Sequence, residues 1–217
     1  MNVEDFRRDI RNAGALGAGI DLGYRLTNKL TTFMILQTMK LLPRLPAPTW
    51  PVASEGIHHR FLNESELRRY AREPVNDMTD GFLDEALAKG DRCSAIMDGN
   101  RLVSYVWCAR KPTLLTRDLL LEFDTDWVYR YKAFTIPAYR GRRLHGMNST
   151  MAMRDTVGLG LKGCLCYVDV NNYSSRKSLY RQGYVDVGKM FALRITGVHL
   201  IRVDPRCRAY GLGLKPL

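Results

Sequence analysis

The residues from Phe134 to His145 combine a strand end, a basic turn and a helix start in a way that suits phosphate binding. A β-rich run stops at Pro137, the turn at residues 140–143 reads Arg-Gly-Arg-Arg, and a helical pattern begins at Leu144. Backbone N–H groups at such a turn, next to a helix N-terminus, form an anion site suited to a pyrophosphate. Taken alone, the segment is equally compatible with a solvated basic turn.

A second informative segment follows the next predicted strand. It reads Asn-Asn-Tyr-Ser-Ser from Asn171 and Leu-Tyr-Arg-Gln-Gly-Tyr from Leu179. Together with the basic turn, it resembles the GNAT superfamily of acyl-CoA-dependent N-acyltransferases. In that family an Arg/Gln-x-x-Gly-x-Gly/Ala loop, often preceded by Pro-x-Tyr-Arg-Gly, follows the fourth strand, and an Asn-x-x-Ala/Ser helix follows the fifth. The resemblance covers about residues 56–204 and leaves the first fifty unexplained.

The resemblance implies acetyl-CoA, or another acyl-CoA, as co-substrate and implies no metal. It assigns thioester and pantetheine contacts to the end of the fourth strand, pyrophosphate contacts to the turn, and further pantetheine contacts to the later helix. In this sequence the matching residues are Phe134, Thr135 and Ile136, then Arg140, Gly141, Arg142, Arg143, Leu144 and His145, and finally Asn172 and Ser175. Two of them depart from the family pattern. The family usually has Gly at the position of Arg143 and Gly or Ala at the position of His145. This predicts either weaker CoA binding or charge-assisted contacts that replace backbone ones.

The resemblance also suggests a general acid for the departing thiolate. The family often uses a tyrosine, but an ungapped alignment places Leu179 at its position and Tyr180 one residue later. One residue rotates a helical side chain by about 100°. Tyr180 is therefore a candidate catalytic acid, and a packing role is the equal alternative.

A general base is harder to find. Many relatives carry a glutamate on the fourth strand, whereas residues 129–132 read Tyr-Arg-Tyr-Lys and contain no carboxylate. Catalysis is then expected to rest on proximity, backbone polarisation of the thioester and a water relay. On this strand Tyr129 and Tyr131 share one face and are candidate substrate-binding residues, whereas Arg130 and Lys132 share the other.

The resemblance implies transfer of an acetyl group to a small-molecule or peptide amine. Direct attack in a ternary complex is expected, since no Cys–His or Ser–His arrangement is visible. Two alternatives stay open: a catalytically silent acyl-CoA-binding or scaffold protein, and a long-chain N-acyltransferase at a membrane surface. The formal charge of +11 favours anionic partners. No nucleic-acid-binding motif accompanies the charge, which argues against nucleic acid as the partner.

The five cysteines are an odd number and form no Cys-x-x-Cys motif, so we expect buried free thiols, a reducing cytoplasmic setting and no metal site. His58 and His59, and likewise Cys164 and Cys166, lack the partner spacing of a metal site.

The order of predicted elements indicates a mixed α/β fold, a central mixed sheet flanked by helices. The strand pattern runs from Gly56 to Val203, with helices near residues 63–72, 79–89, 144–157 and 172–182. We assign residues 51–217 to the acyltransferase domain and residues 1–50 to an N-terminal helical extension ending in a Pro-rich linker. Within the extension, apolar residues from Asp21 to Leu42 recur at helical spacing. Such a helix would pack on the domain, on a second subunit in a homodimer, or on anionic lipid through residues 21–42.

Overall fold

The computed structural model describes residues 33–43 and 56–217, together with the helical positions 14, 16, 17 and 19. The described strands are β1 (Phe33–Leu41), β2 (Ile57–Leu62), β3 (Arg92–Asp98), β4 (Arg101–Ala109), β5 (Thr113–Thr116), β6 (Leu119–Glu122), β7 (Trp127–Thr135), β8 (Gly163–Asp169), β9 (Val185–Ile195), β10 (Val198–Val203) and β11 (Gly213–Pro216). The described α-helices are α1 (Glu64–Ala71), α2 (Asp80–Lys89), α3 (Leu144–Gly158) and α4 (Tyr173–Gln182).

The chain divides into two compact units. The hairpin unit comprises residues 41–113 and 123–166, and the C-terminal unit comprises residues 1–40, 114–122 and 167–217. Strand β8 runs through the division, because its first four residues belong to the hairpin unit and its last three to the C-terminal unit.

The hairpin unit contains a sheet in the order β2-β3-β4-β7-β8. Its neighbouring strands are antiparallel, except that β7 and β8 run parallel from Trp127↔Gly163 to Tyr129↔Leu165. The turn between β3 and β4 is Gly99-Asn100, and Gly99 has a φ of +55° that favours glycine. β3 and β4 therefore form a tight hairpin in which Asp98 pairs with Arg101.

Two helices of the hairpin unit begin and end where the sequence indicates. Asn63 caps α1, because its side-chain oxygen accepts from the Glu66 N–H. The Glu66 carboxylate in turn accepts from the Asn63 N–H, which completes a capping box. Thr79 caps α2, and Gly90 ends it in the left-handed conformation. Both helices pack on the sheet face that carries Tyr105 and Trp107. Helix α3 packs on the other face, where Leu144 contacts Ile96 and Val103.

The C-terminal unit contains strands in the order β10-β9-β1-β8, and a separate small sheet orders β11-β6-β5. β1 pairs antiparallel with β9 from Phe33↔Leu193 to Lys40↔Val185. The helix predicted from Asp21 to Leu42 is therefore wrong over Phe33–Leu41, which form a strand. Leu36 to Met39 are all buried because β1 lies between two strands. A strand buried on both faces reads as a continuous apolar run, which fits helical spacing as readily as strand spacing.

The remaining predictions for the N-terminal region, at residues 21–32 and in the linker at residues 44–55, lie outside the described residues. The assignment of residues 1–50 and 51–217 to separate parts stays a prediction. Of residues 21–42, which were proposed to contact anionic lipid as a helix, residues 33–41 instead form β1 and pair with β9. Within the described residues, no helix is both long and apolar enough to cross a membrane.

The mixed α/β architecture with helices flanking a mixed sheet is confirmed, whereas the sequence analysis missed β5, β6 and β11. All five cysteines are free thiols, of which Cys108 is half-buried and the other four are buried. Burial is the main reason that the pKa of each thiol is raised, to about 12 for Cys108. These thiols are therefore packing residues and poor nucleophiles.

Candidate functional site

The turn between β7 and α3 has two residues in the left-handed conformation. Gly141 has a φ of +81° and Arg143 a φ of +61°. A side chain in this region costs about 1–2 kcal/mol relative to a right-handed residue. Arg143 is the N-cap of α3, and its side chain makes no capping bond. The chain thus holds an arginine in a strained backbone position where the family resemblance expects glycine.

The N-terminus of α3 is suited to an anion. Its first intrahelical hydrogen bond of the turn runs from the Met147 N–H to the Arg143 carbonyl, 3.1 Å away. The N–H groups that precede Met147 in a helix have no intrahelical acceptor, and the helix dipole adds positive potential there. Arg140, Arg142 and Arg143 are all exposed around this end. The predicted turn therefore combines backbone donors with three cationic side chains.

Tyr139 connects the turn to the β3–β4 hairpin by a hydrogen bond. Its hydroxyl donates to Asp98 Oδ2 at 2.7 Å, and the Arg142 guanidinium lies 4.8 Å from its ring centroid. The hydrogen bond to Asp98 raises the pKa of Tyr139, so the phenol remains a donor at neutral pH. This contact orders the segment that leads into Gly141.

His145 adds no charge to the turn. Burial lowers its pKa to about 4, and the positive charge of Arg130 contributes in the same direction. The imidazole is therefore neutral at pH 7. Any charge contributed to a bound phosphate comes from the three arginines.

Strand β7 leaves β8 after its third residue but stays paired with β4 to its end at Thr135. The parallel ladder with β8 ends at Tyr129↔Leu165. The antiparallel ladder with β4 pairs Trp107 with Tyr131 and then Tyr105 with Phe134, so two residues of β7 lie opposite Val106. Such a bulge leaves backbone groups outside the ladder and bends the strand. It also places Tyr131 and Phe134 on the same sheet face, beside Tyr105 and Trp107.

The end of β7 is only partly available to a ligand. The Phe134 carbonyl accepts from Ser104 Oγ at 3.0 Å, and the Thr135 carbonyl accepts from Arg140 Nε at 3.2 Å. The Ile136 N–H donates to the Val103 carbonyl at 3.0 Å. Since that N–H is already used, Ile136 cannot donate it to a pantetheine arm without losing this contact.

The two candidate substrate tyrosines differ in accessibility. Tyr129 is buried at 2% exposure, whereas Tyr131 is half-buried, and their rings stack with centroids 5.5 Å apart. Only Tyr131 offers a surface to a substrate. Arg130 lies on the other face, where it is buried and donates from Nη2 to the Ser149 carbonyl. The prediction that Lys132 shares that face is wrong, because Lys132 lies in the bulge with a φ of +44° and contacts Asp77 Oδ2 at 3.1 Å and the Phe82 ring.

The later helix residues lie in the C-terminal unit and are described within it. Asn172 is the N-cap of α4, and its Oδ1 accepts from the Ser175 N–H at 3.1 Å. Tyr180 is exposed, and its hydroxyl donates to both Asp186 oxygens at 2.8 and 3.0 Å. Asn172 therefore has a helix-capping role independent of any ligand. Tyr180 would have to release Asp186 before it could donate its proton elsewhere.

The sequence analysis missed two polar groupings. His59 Nε2 lies 2.8 Å from Ser94 Oγ, which in turn donates to Asn148 Oδ1. Because the single Ser94 proton points at Asn148, His59 acts as the donor and does not activate the serine as a nucleophile. The second grouping joins Asp91 to Tyr131. Both connect residues that lie dozens of positions apart, and no local sequence signal marks them.

Among the residues that the structure describes, no group of three or more His, Cys, Asp or Glu side chains is placed to hold a metal ion. The acidic residues Asp124 and Asp126, which precede β7, lie 3.9 and 2.8 Å from Lys162 Nζ. Their charge is therefore partly neutralised within the chain.

Solved structures share this arrangement of strands and helices. A GNAT-family acetyltransferase from Colwellia psychrerythraea matches with a TM-score of 0.51 and 12% identity over 83% of this chain and 60% of its own. A GCN5-related N-acetyltransferase from Kribbella flavida matches with a TM-score of 0.50 and 15% identity over 82% of this chain and 64% of its own. The chain has the GNAT acetyltransferase fold.

The match spans less than two thirds of the length of those two GNAT proteins. The aminoglycoside N-acetyltransferase AAC(6')-Iy in complex with CoA is also similar, at 14% identity and a TM-score of 0.47 over 62% of this chain and 91% of its own. No family model matches the sequence, and no curated protein matches it. At these identities the GNAT likeness establishes the fold, and activity has to be argued from the residues.

Proposed function

We propose that this GNAT-fold protein is an acyl-CoA-dependent N-acyltransferase that transfers an acetyl group from acetyl-CoA to a small-molecule or peptide amine. The observation that carries the proposal is the end of β7. There the strand leaves its parallel partner after Tyr129, bulges at residues 132–133 and leads within a few residues into the turn of Gly141 and Arg143. One continuous segment thus offers backbone groups for a thioester arm and an uncapped helix N-terminus for a pyrophosphate.

In this proposal the turn holds the CoA pyrophosphate. The backbone of residues 142–145 supplies the donors, and Arg140 and Arg142 add charge-assisted contacts. Phe134 and Thr135 contribute backbone contacts to the pantetheine arm and thioester, with Ile136 as a packing surface because its N–H is used by Val103. Asn172 and Ser175 are proposed to contact the pantetheine, and Tyr180 to protonate the departing thiolate.

The acceptor amine attacks the thioester directly. No described Ser–His pair has the proton arrangement of an activated nucleophile, since the Ser94 hydroxyl donates to Asn148. The pKa values of the described thiols are raised by burial, which disfavours an acyl-cysteine intermediate. A ternary complex is therefore the preferred pathway. Tyr131, half-buried on β7, is the proposed contact for the acceptor.

Calorimetric titration with CoA tests the placement of the cofactor. Arg140→Ala removes one charge-assisted phosphate contact, worth about 1.5–3 kcal/mol, which corresponds to a loss in affinity of about 10- to 150-fold. Gly141→Val should have a comparable effect because it forces a branched side chain into a φ of +81°. Arg110→Ala, which removes an exposed arginine outside the turn, is the matched control and should leave affinity unchanged. Unaltered affinity in both turn variants would contradict the placement.

Activity is tested by release of free thiol from acetyl-CoA in the presence of a panel of amines. An amine-dependent rate supports the N-acyltransferase. The second candidate, a silent acyl-CoA-binding protein, is favoured by the strained Arg143 and by the engagement of Tyr180 with Asp186. CoA binding without any amine-dependent thiol release would select this second function.

A further inference from the structure

A buried carboxylate lies beside β7, although the strand itself contains none. The left-handed Gly90 ends α2, and the next N–H, that of Asp91, donates to the Ala86 carbonyl at 2.9 Å. This turn directs the chain into β3 and leaves the Asp91 side chain 1% exposed. The Tyr131 hydroxyl donates to Asp91 Oδ2, and Lys89 Nζ lies 3.1 Å from the same oxygen.

The second oxygen of Asp91, Oδ1, makes the carboxylate costly to keep ionised. Oδ1 is buried and has no hydrogen-bond partner among the described residues. An ionised oxygen enclosed without a donor is costly, because it has lost its hydration without replacement. Protonation of the carboxylate relieves this cost. Asp91 therefore has one oxygen, Oδ2, in contact with Tyr131 and Lys89 and a second, Oδ1, that is buried without a partner.

Tyr131 connects the Asp91 carboxylate to the β-bulge of β7. It is the last residue before the bulge at residues 132–133 and shares a sheet face with Phe134. Its ring stacks on Tyr129 with an interplanar angle of 3° and meets the edge of Phe82 at 6.2 Å. The ring is therefore held in one orientation while remaining half-buried. A phenol whose proton is committed to Asp91 still has a lone pair to accept a proton.

We propose that Tyr131 and Asp91 replace the missing strand carboxylate as a proton relay that deprotonates the acceptor amine. The inference rests on the proposed N-acyltransferase function. An N–H bond of the ammonium breaks as an O–H bond forms at Tyr131, and the original Tyr131 proton moves to Asp91. The nitrogen lone pair then attacks the thioester carbonyl, and the thiolate leaves. Tyr131 is the catalytic residue in this step, and Asp91 is a positioning residue that acts through it.

Charged and titratable groups from two elements surround the relay. Lys89 and Glu85 face it from α2, and Cys108 faces it from β4. Burial, followed by the hydrogen bond to Asp91 and the charges of Asp91 and Glu85, raises the pKa of Tyr131 well above its usual range. The phenol is therefore protonated at rest and transmits a proton without persisting as a phenolate. Lys89 Nζ forms an ion pair with Asp91 and lies 5.4 Å from the centroid of the Tyr131 ring.

The decisive measurement is the pH dependence of kcat/KM for an amine accepted by the wild-type protein. A lysine-like amine is free base in about one molecule in 10³ at pH 7 and in about three of ten at pH 10. Tyr131→Phe keeps the ring and removes only the relay oxygen, and Asp91→Asn removes the final acceptor. Both should lose about 10²-fold at pH 7. Their rates should then rise about tenfold per pH unit and approach the wild-type rate at about pH 9, because free amine no longer needs a base.

Asp84→Asn is the matched control, because it removes an exposed carboxylate of the same helix, paired with Arg68, that does not act on Tyr131. It should keep the wild-type profile, and all three variants should bind CoA as the wild type does. If Asp91→Asn does not fold, Tyr131→Phe decides alone. If the wild type is active and the pH profile of kcat/KM for Tyr131→Phe runs parallel to that of the wild type, the relay is overturned and the proposed function stands. A wild type without activity on any amine overturns both.

Discussion

Arg143 provides the sharpest test of how the anion-binding turn is built. Its φ of +61° belongs to the region that glycine occupies at no steric cost. Arg143→Gly should release about 1–2 kcal/mol of backbone strain. It should release about 0.3–1 kcal/mol more by removing a cation from a helix N-terminus. Glycine also makes the unfolded chain more flexible, which lowers the free energy of unfolding by about 0.4–1 kcal/mol.

The sum predicts a more stable protein, by about 1 kcal/mol in the free energy of unfolding. For a chain of this size that corresponds to a rise in Tm of about 2–4 °C, which thermal unfolding followed by circular dichroism resolves. Arg142→Gly is the matched control, because Arg142 is not among the positive-φ residues and should lose stability by the entropy effect and by loss of its contact with the Tyr139 ring. The same two proteins titrated with CoA report whether the Arg143 charge compensates for its backbone strain. We expect Arg143→Gly to bind CoA about tenfold more weakly. A loss of stability equal to that of Arg142→Gly would refute the strain argument.

Three further predictions follow from other parts of the chain. Tyr180→Phe should lower turnover by about 10²-fold with CoA affinity intact if the phenol protonates the thiolate, and full activity would return Tyr180 to a packing role against Asp186. The pKa of His145 is about 4 in the folded protein and near 6.5 unfolded, so the unfolded chain binds more protons between these values and stability falls as pH drops. Urea unfolding at pH 7 and pH 5 should differ by at most about 2 kcal/mol from this residue, and His145→Gln should lack that difference. Gly163→Ala should cost at least about 2 kcal/mol in a thermal melt, because its Cβ would lie 2.5 Å from the Leu41 carbonyl, whereas Gly81→Ala, with open space around it, should be neutral or stabilising.

The parts of the fold that sequence predicts well are those whose signals are local. The capping box at Asn63, the left-handed Gly90 and the turn at Gly99 each require particular residues within a few positions. β1 was misassigned because only its pairing with β9, about 150 residues away, distinguishes a doubly buried strand from a helix. The short strands β5, β6 and β11 likewise depend on mutual pairing and have no strong pattern of their own.

The candidate site divides in the same way. Its basic turn is visible in sequence because a proline, a glycine and three arginines occur within one short segment. The strain at Arg143 is not visible, since nothing in the residue type foretells a positive φ. The Tyr131–Asp91 contact joins positions 40 residues apart, so it could be seen only once the strands were in register. Tyr180 was identified by alignment, but its bond to Asp186 depends on how β9 follows α4.

The position of β1 has a consequence for synthesis of the protein. Residues 33–41 leave the ribosome early, but their strand partner in β9, residues 185–193, emerges about 150 residues later. At about 5–20 residues per second, this apolar segment stays without its partner for about 8–30 s. Closing so long a loop is slow compared with forming the local contacts of the β3–β4 hairpin. Assembly of the C-terminal unit is therefore expected to follow synthesis, and β1 is the segment that chaperones would need to cover until then.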